Sequence, residues 1–417
     1  MRKISIFGII IVLCLPLLAQ RTKLDIPTVD IPKYRFMDYK QNTIQIPGKD
    51  STRLNLFFQK IDTLIEAGEG RINILHIGGS HVQADMFSHR VRQNLDMVNG
   101  DFQTPRGLIF PFSVAKTNNP TNYKVTYSGK WNSVRNVQKN REIPLGVNGI
   151  AVYTQDPSVK INILLNTDET RRWEFTRLRL LGYAEDGSDG VIPVLYHQND
   201  TIMGCFDLVT KTFLFDLPEA VDSFSMGFIQ TEKVLRTFFV HGFIPEKETP
   251  GIVYHAIGVN GASVASYLES EYFEEELYLL KPDLMIFGIG INDATSRDFT
   301  EKSLYDNYNV LIEKIKCVNP DCAFIFITNN DSFRRISRNN YRVNPNGPIA
   351  RKAFFRLAEE HQGGVWDFFS LMGGLSSMRQ WQTAGLAKVD KVHFTKAGYE
   401  LMGDMFYNAL IDYYKTK

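Results

Sequence analysis

Strand-like and helix-like segments alternate near both ends of this chain, and this alternation restricts the possible folds more than any other feature. The run "INILHIG" (72–78) is rich in aliphatic residues. After it, Ala84, Phe87, Val91 and Leu95 recur at steps of three and four residues, as on one face of a helix. Strand-like runs at 251–258, 283–290, 322–330 and 363–369 also alternate with helical patterns. The chain is therefore predicted to form a parallel sheet covered by helices on both faces, a three-layer α/β/α arrangement.

The stretch 107–247 interrupts this alternation. Its runs are short, separated by turn residues and without a helical period; they include "YKVTYSG", "GIAVYTQ", "VKINILL", "TRLRLLGY", "VIPVLY", "TFLFDL" and "LRTFFVHGFI". Such a pattern is typical of an antiparallel β-sandwich. We therefore predict a β-sandwich domain (107–247) inserted into a surface loop of the α/β domain, which consists of 21–106, with an N-terminal extension, and 248–417.

The first 20 residues have the features of an export signal. Arg2 and Lys3 form a basic start, residues 4–18 are apolar, and Ala19-Gln20 follows as a cleavage point. A membrane anchor is the alternative, but the apolar stretch is short for crossing a bilayer. Cys14 lacks the small preceding residue of a lipoprotein signal, so we do not expect lipidation. The protein is predicted to be exported, periplasmic or extracellular, with no stable membrane insertion after the signal is removed.

Charge and cysteine content exclude some functions. Removing the signal takes away two of the 47 basic residues and none of the 46 acidic ones, so the mature net charge is about −1. Nucleic acid is therefore not expected as a partner, because phosphate binding requires a basic surface. Cys317 and Cys322 either form a disulfide or pack as two separate small side chains. No metal-ligand spacing is present, and we expect neither a metal nor another cofactor.

Reactive or polar residues follow several of the predicted strands. Ser80 comes directly after the first strand, Gly261 follows the second, and Asn292 follows the third; Asp390 and His393 precede the last helix. Ligands of open α/β sheets bind at the carboxyl ends of the strands, so these residues are candidates for one active site. Each also has a structural alternative, namely a helix cap for Ser80 and Asn292, a turn for Gly261 and a surface pair for the last two.

The residue types suit acyl transfer. A serine hydroxyl needs an adjacent base to become a nucleophile, and imidazole is suited to that task near neutral pH. A carboxylate on the second ring nitrogen fixes the tautomer and stabilises the imidazolium. The Ser80 N–H, the Gly261 N–H and the Asn292 side-chain amide are candidates for an oxyanion hole.

These residues also resemble a known family. "GGSH", "GVNGA", "GIND" and "DKVH" occur in the order of the four sequence blocks of the SGNH/GDSL hydrolases. The resemblance covers about 70–104 and 250–417, and it implies a flavodoxin-like fold. It also implies a Ser80–His393–Asp390 triad with an oxyanion hole at Ser80, Gly261 and Asn292.

The interrupted architecture resembles exported bacterial peptidoglycan O-acetylesterases, in which a carbohydrate-binding β-sandwich follows the first block. The resemblance implies an O-acetylated glycan or peptidoglycan as substrate. A polysaccharide O-acetyltransferase with the same site and a non-catalytic glycan-binding protein remain alternatives. One residue departs from the family, since Gly79 stands where an aspartate is usual.

Three further features have two interpretations each, and His76 has one. His81 either lines the site or is a buried structural histidine, which we favour, and His76 is expected in the core. Arg334 and Arg335 either contact the glycan or form a solvated pair. The aromatic side chains of the insert either stack on sugars or pack in its core; they are Tyr123, Trp131 and Trp173.

Overall fold

A computed structural model describes residues 22–167, 173–187, 190–338 and 340–417. The predicted export signal and Cys14 lie outside these residues. The strands are β1 (Ile44–Gln45), β2 (Arg71–Gly78), β3 (Tyr123–Ser128), β4 (Asn132–Arg135), β5 (Ile150–Thr154), β6 (Lys160–Leu165), β7 (Phe175–Ala184), β8 (Val191–His197), β9 (Asp200–Met203), β10 (Cys205–Asp207), β11 (Thr212–Val221), β12 (Ser223–Gln230), β13 (Phe238–Glu246), β14 (Gly251–Gly258), β15 (Leu284–Gly288), β16 (Ala323–Ile327), β17 (Phe333–Ser337), β18 (Asn340–Val343) and β19 (Gly364–Trp366).

The α-helices are α1 (Thr52–Ala67), α2 (Ser80–Gln83), α3 (Met86–Asn94), α4 (Asp96–Asn99), α5 (Val264–Leu268), α6 (Phe273–Leu280), α7 (Ile291–Thr295), α8 (Glu301–Val318), α9 (Gly347–Glu360), α10 (Phe368–Leu371), α11 (Met378–Thr383) and α12 (Lys396–Lys415). Short 3₁₀ helices lie at Lys23–Asp25, Tyr39–Gln41 and Glu185–Gly187.

One sheet carries the predicted alternation of strands and helices. Its strand order is β1-β19-β16-β15-β2-β14, and all neighbours are parallel except β1 and β19. Numbered along the chain, the five parallel strands have the order 2-1-3-4-5 of flavodoxin-like folds. The prediction of a wholly parallel sheet is wrong at this edge, because β1 joins it in the opposite direction and is too short to show a pattern in the sequence.

Two predicted helices are broken where long-range contacts replace helical hydrogen bonds. The run "SVASYLESEYFEEELYLL" (263–280) has a helical pattern, but it is divided into α5 and α6. The Tyr272 N–H at the break donates to the Leu145 carbonyl (2.9 Å). The helix expected after Ser80 is divided at Asp85, which has a left-handed φ of 49°. Its carboxylate is buried against two arginines, Arg92 and Arg106.

A separate antiparallel region lies between β2 and β14 in the chain. It contains two sheets, with strand orders β10-β11-β7-β13-β5-β4 and β3-β6-β12-β8-β9. Aromatic rings join the two sheets, as in the pairs Phe228–Phe238 (4.8 Å between centroids) and Phe224–Phe243 (5.1 Å). Both sheets lie within the predicted 107–247 stretch. Three aromatic residues that were considered for stacking on sugars are instead buried in this region: Tyr123, Trp131 and Trp173.

Cys317 and Cys322 are separate thiols, the first exposed and the second buried, so the disulfide alternative does not hold. Among the described residues, every helix is too short or too polar to cross a membrane.

Candidate active site

Three strands of the mixed sheet end side by side beneath the candidate site. Gly78 at the end of β2 is in register with Gly258 of β14 on one side and Gly288 of β15 on the other. The segments that follow these strands carry Ser80 at the start of α2, Gly261 in a loop and Asn292 in α7. The site thus lies at the carboxyl edge of the sheet, next to the point where the strand order reverses.

Ser80 is the first residue of α2, and Gly79 is its N-cap. The Ser80 side chain therefore does not cap the helix. Its Oγ lies 2.8 Å from Nε2 of His393, and Nδ1 of His393 lies 2.9 Å from Oδ2 of Asp390. The structure thus brings the three predicted residues together in one hydrogen-bond chain. With Nδ1–H donating to the carboxylate, Nε2 is left as the acceptor for the serine proton.

The Asp390 carboxylate is held by backbone N–H groups of the residues that follow it. Its Oδ1 accepts the N–H groups of Val392 (2.9 Å) and His393 (3.0 Å), while Oδ2 faces the imidazole. Partial burial would raise the pKa of Asp390, but the hydrogen bonds from the His393 ring and from the two N–H groups lower it well below its ordinary value. The carboxylate is therefore ionised at neutral pH and can orient the imidazole.

Of the two remaining predicted residues, Asn292 lies next to Gly79, and Gly261 lies in the loop whose Val259 and Ala262 carbonyls face Gly79. Asn292 donates a hydrogen bond from Nδ2 to the Ala262 carbonyl (2.8 Å), and Gly261 adopts a left-handed φ of 87°. In the described parts of the chain, neither the Gly261 N–H nor the Ser80 N–H donates to a protein acceptor. Two backbone N–H groups and one side-chain amide thus follow three neighbouring strands, and they remain the candidates for an oxyanion hole.

The glycine at position 79 has a local explanation. A Cβ added there would lie 3.2 Å from Nδ2 of Asn292 and 3.4 Å from the Ala262 carbonyl oxygen. The limited space at this position therefore favours glycine. An aspartate at this position would require Asn292 to move by a few tenths of an ångström.

Two histidines near Ser80 in the sequence, His76 and His81, are buried. His81 bonds through Nδ1 to the Tyr399 hydroxyl (2.7 Å), and its ring lies 5.3 Å from that of His393. Burial lowers the pKa of His81 to about 3, so the ring is neutral and supports His393 by packing. His76 is fully buried and bonds to the Tyr254 hydroxyl (2.8 Å). Both therefore have the structural character that we favoured.

Sequence reasoning missed the polar network that holds the Gly261 loop. The Asn260 N–H donates to Oε1 of Gln83 (2.7 Å), and Nε2 of Gln83 donates to Thr117 and Asn118 (both 3.0 Å). Asn260 Nδ2 in turn donates to Oδ1 of Asn118 (2.6 Å). These four residues come from three distant parts of the chain, and none has a motif that would have revealed the contact.

The loop after β16 holds the His393 loop from the other side. Asn330 donates to the Val392 carbonyl (3.1 Å), and the Phe333 N–H donates to the Lys391 carbonyl (3.1 Å). Arg334 donates to the Ala294 carbonyl (3.0 Å) and is half-buried, whereas Arg335 is exposed. The sequence analysis treated Arg334 and Arg335 as one pair, but the two side chains have different surroundings.

Groups of three or more His, Cys, Asp or Glu residues that could hold a metal ion are absent from the described residues.

Comparisons with known proteins agree with this architecture. Residues 222–401 match the model of the GDSL-like Lipase/Acylhydrolase family, a range that includes Gly261, Asn292, Asp390 and His393 but not Ser80. A solved structure of a peptidoglycan O-acetylesterase is similar to the chain, with a TM-score of 0.67 and 19% identity over 92% of this chain and 99% of that one. At this identity the likeness supports the fold alone.

Two other solved structures overlap with a smaller part. The lipase/acylhydrolase from Enterococcus faecalis has a TM-score of 0.31 and 21% identity over 39% of this chain and 77% of that one. An acetyl xylan esterase has a TM-score of 0.31 and 17% identity over 38% of this chain and 81% of that one. No curated protein sequence matches the chain.

Proposed function

Because this chain carries a GDSL-like lipase/acylhydrolase domain and is a carboxylic ester hydrolase, we propose that it removes O-linked acetyl groups from peptidoglycan or another bacterial polysaccharide. The observation that carries the proposal is the hydrogen-bond chain from Ser80 through His393 to Asp390, with 2.8 and 2.9 Å between the bonded atoms. The protein of similar fold is a peptidoglycan O-acetylesterase, and for this reason we propose peptidoglycan as the first substrate to test.

In the first half-reaction, Ser80 Oγ attacks the acetyl carbonyl while His393 Nε2 takes the hydroxyl proton. The negative charge that forms on the carbonyl oxygen is stabilised by the Ser80 N–H, the Gly261 N–H and the Asn292 amide. Asp390 stabilises the imidazolium through Nδ1–H. When the tetrahedral intermediate collapses, the imidazolium gives its proton to the departing sugar oxygen, and the acetyl group stays on Ser80.

In the second half-reaction, water replaces the sugar. His393 takes a proton from the water, the resulting hydroxide adds to the acetyl carbonyl, and the same three donors stabilise the oxyanion. Collapse of this intermediate breaks the bond to Ser80, which regains its proton from His393. Acetate leaves, and the enzyme returns to its starting state.

The antiparallel region completes the proposal. We assign residues 107–247 to an inserted β-sandwich that helps to hold the polymer, between the hydrolase segments 21–106 and 248–417. Export through the segment 1–20 would bring the enzyme to a wall or extracellular glycan. The partly exposed His393 and Asp390 side chains support access by a large substrate.

The test is acetate release from O-acetylated peptidoglycan and from O-acetylated xylan. The wild type and a Ser133→Ala control on β4 should release acetate, whereas Ser80→Ala should not. Release that survives Ser80→Ala would refute the assignment of the nucleophile. Acetylation of an added oligosaccharide, in place of acetate release, would identify a transferase.

A further inference from the structure

A groove of about 630 Å³ lies beside the candidate triad. Its lining includes Phe333 and Tyr341 from the β17–β18 hairpin, Arg297 and Arg335, and Asp390 of the triad. The groove therefore runs from the catalytic carboxylate to a set of exposed arginines. None of its lining residues belongs to the proposed oxyanion hole.

The hairpin that forms this groove is fixed to both sides of the active site. The Phe333 N–H donates to the Lys391 carbonyl (3.1 Å), next to Asp390. Arg334 Nη2 donates to the carbonyls of Ala294 (3.0 Å) and Ser296 (3.4 Å), which lie at the end of α7. The hairpin is thus attached to the loop of His393 and to the helix of Asn292, and its position relative to the scissile bond is set.

The groove has an excess of unpaired positive charge. Arg297 and Arg335 in its lining are exposed, and so are Arg338 and Arg342 of the adjoining hairpin, which do not line the groove. Within residues 22–167, 173–187, 190–338 and 340–417, none of the four is in an ion pair with a carboxylate. Other arginines of the protein do have such partners, as in the pairs Arg177–Asp216 and Arg351–Asp367.

The positions of these positive charges also destabilise the hairpin. Arg334 is directly opposite Arg342 in the β17–β18 register, and like charges in this position destabilise an antiparallel pair. Lys391 adds a further cation, 4.6 Å from the centre of the Tyr341 ring. A concentration of cations that weakens its own element is more readily explained by a ligand than by folding.

We propose that this groove binds a carboxylate of the O-acetylated polymer next to the acetyl group that is cleaved. Guanidinium groups bind carboxylates through two parallel hydrogen bonds, and Arg297 and Arg335 have donors available for this. Tyr341 offers an aromatic surface for the adjoining sugar ring. Asp390 at the other end repels an anion, so the carboxylate is held at the arginine end, away from the triad.

This inference rests on the proposed function and narrows its substrate class. Peptidoglycan carries carboxylates on its peptide side chains, whereas xylan oligomers that bear only acetyl groups are neutral. The groove therefore selects a carboxylate-bearing glycan over a neutral one.

The first test measures binding and needs no turnover. The Arg297→Gln/Arg335→Gln double variant is compared with the wild type and with Arg356→Gln, which removes an exposed arginine from α9. Each is sedimented with insoluble O-acetylated peptidoglycan, either native or with its carboxyls converted to neutral amides. We expect amidation to weaken binding of the wild type and of Arg356→Gln about tenfold, and the double variant to bind both forms equally weakly. A double variant that still prefers the native form would refute the inference.

The second test measures specificity. The ratio of kcat/KM for O-acetylated peptidoglycan to kcat/KM for neutral O-acetylated xylan oligomers should fall about tenfold in the double variant and stay constant in Arg356→Gln. Equal losses on both polymers, with circular dichroism showing a native fold, would contradict a carboxylate site. Failure of the wild type to release any acetate would instead refute the proposed function, and the sedimentation result would still decide about the groove.

Discussion

Asp390 and Asn292 have different tasks in the proposed reaction, and single substitutions can separate them. Asp390→Asn should lower kcat by roughly 10⁴-fold, as in serine-protease triads, because an amide no longer holds His393 in the tautomer that accepts the serine proton. Asn292→Ala should lower kcat by about 10²–10³-fold through the loss of one oxyanion donor. Both are measured with 4-nitrophenyl acetate on variants whose circular dichroism is native. Full activity in either variant would contradict its assigned role.

Gly79 lies so close to the Asn292 side chain that there is little room for a larger residue. Gly79→Ala should push against Nδ2, which lies 3.2 Å from the added Cβ, and should lower kcat by about tenfold with little change in the melting temperature. The control is the same substitution in an Asn292→Ala background, where it should have no further effect. Equal losses in both backgrounds would place the effect elsewhere.

At the scale of elements, α7 and α5 meet through Asp293. Both of its carboxylate oxygens accept the Val264 N–H at the start of α5 (3.2 Å each), and burial raises the pKa of Asp293 to about 6. The folded state therefore binds this proton more tightly than the unfolded state, where the pKa is near the ordinary 3.8. The contribution to stability is fully present below about pH 4 and is lost as the pH rises through about 6.

The prediction concerns Asp293→Asn, which copies the neutral form at every pH. The free energy of unfolding of this variant, relative to that of the wild type, should increase as the pH rises from 4 to 7. Urea denaturation at several pH values measures this difference. Asp298→Asn, an exposed position beyond the same helix, serves as the control and should show no such trend. A difference between Asp293→Asn and the wild type that does not vary with pH would contradict the raised pKa.

Elements with continuous apolar sequences could be predicted closely, and elements shaped by distant partners could not. The strand expected at 251–258 matches β14, whose residues form a continuous apolar run and are almost all buried although β14 lies at the edge of the sheet. The break at Asp85 was missed because it depends on Arg106 and Asn122, which no local pattern connects to it. In the candidate site, motif residues could be named from the sequence, but the support of Gly261 by Gln83 could not.

For the whole molecule, the buried cluster around Asp85 joins the hydrolase helices to the segment that leads into the antiparallel sheets. Asp85, Arg92 and Arg106 are each less than a twentieth exposed, and Asn122 donates to Asp85 Oδ2 (2.8 Å). The two guanidinium groups lower the pKa of Asp85 well below its ordinary value, despite the opposing effect of burial. The carboxylate therefore forms ion pairs with two buried cations.

Asp85→Ala should destabilise the protein by about 3–5 kcal/mol, because it removes the carboxylate that pairs with two buried cations. Asp216→Ala is the matched control, since it breaks an exposed pair with Arg177 and should cost at most about 1 kcal/mol. Chemical denaturation followed by circular dichroism and by tryptophan fluorescence measures both. Similar losses in the two variants would show that the cluster contributes no more than a surface pair.

The hydrogen bond between Ser80 and His393 joins residues 313 positions apart. During synthesis, the nucleophile leaves the ribosome long before its base exists, and the intervening sheets have to be made in between. A growing chain thus cannot form this hydrogen bond until residue 393 has been synthesised. The order of residues along the chain therefore delays assembly of the triad until after the antiparallel sheets have been synthesised.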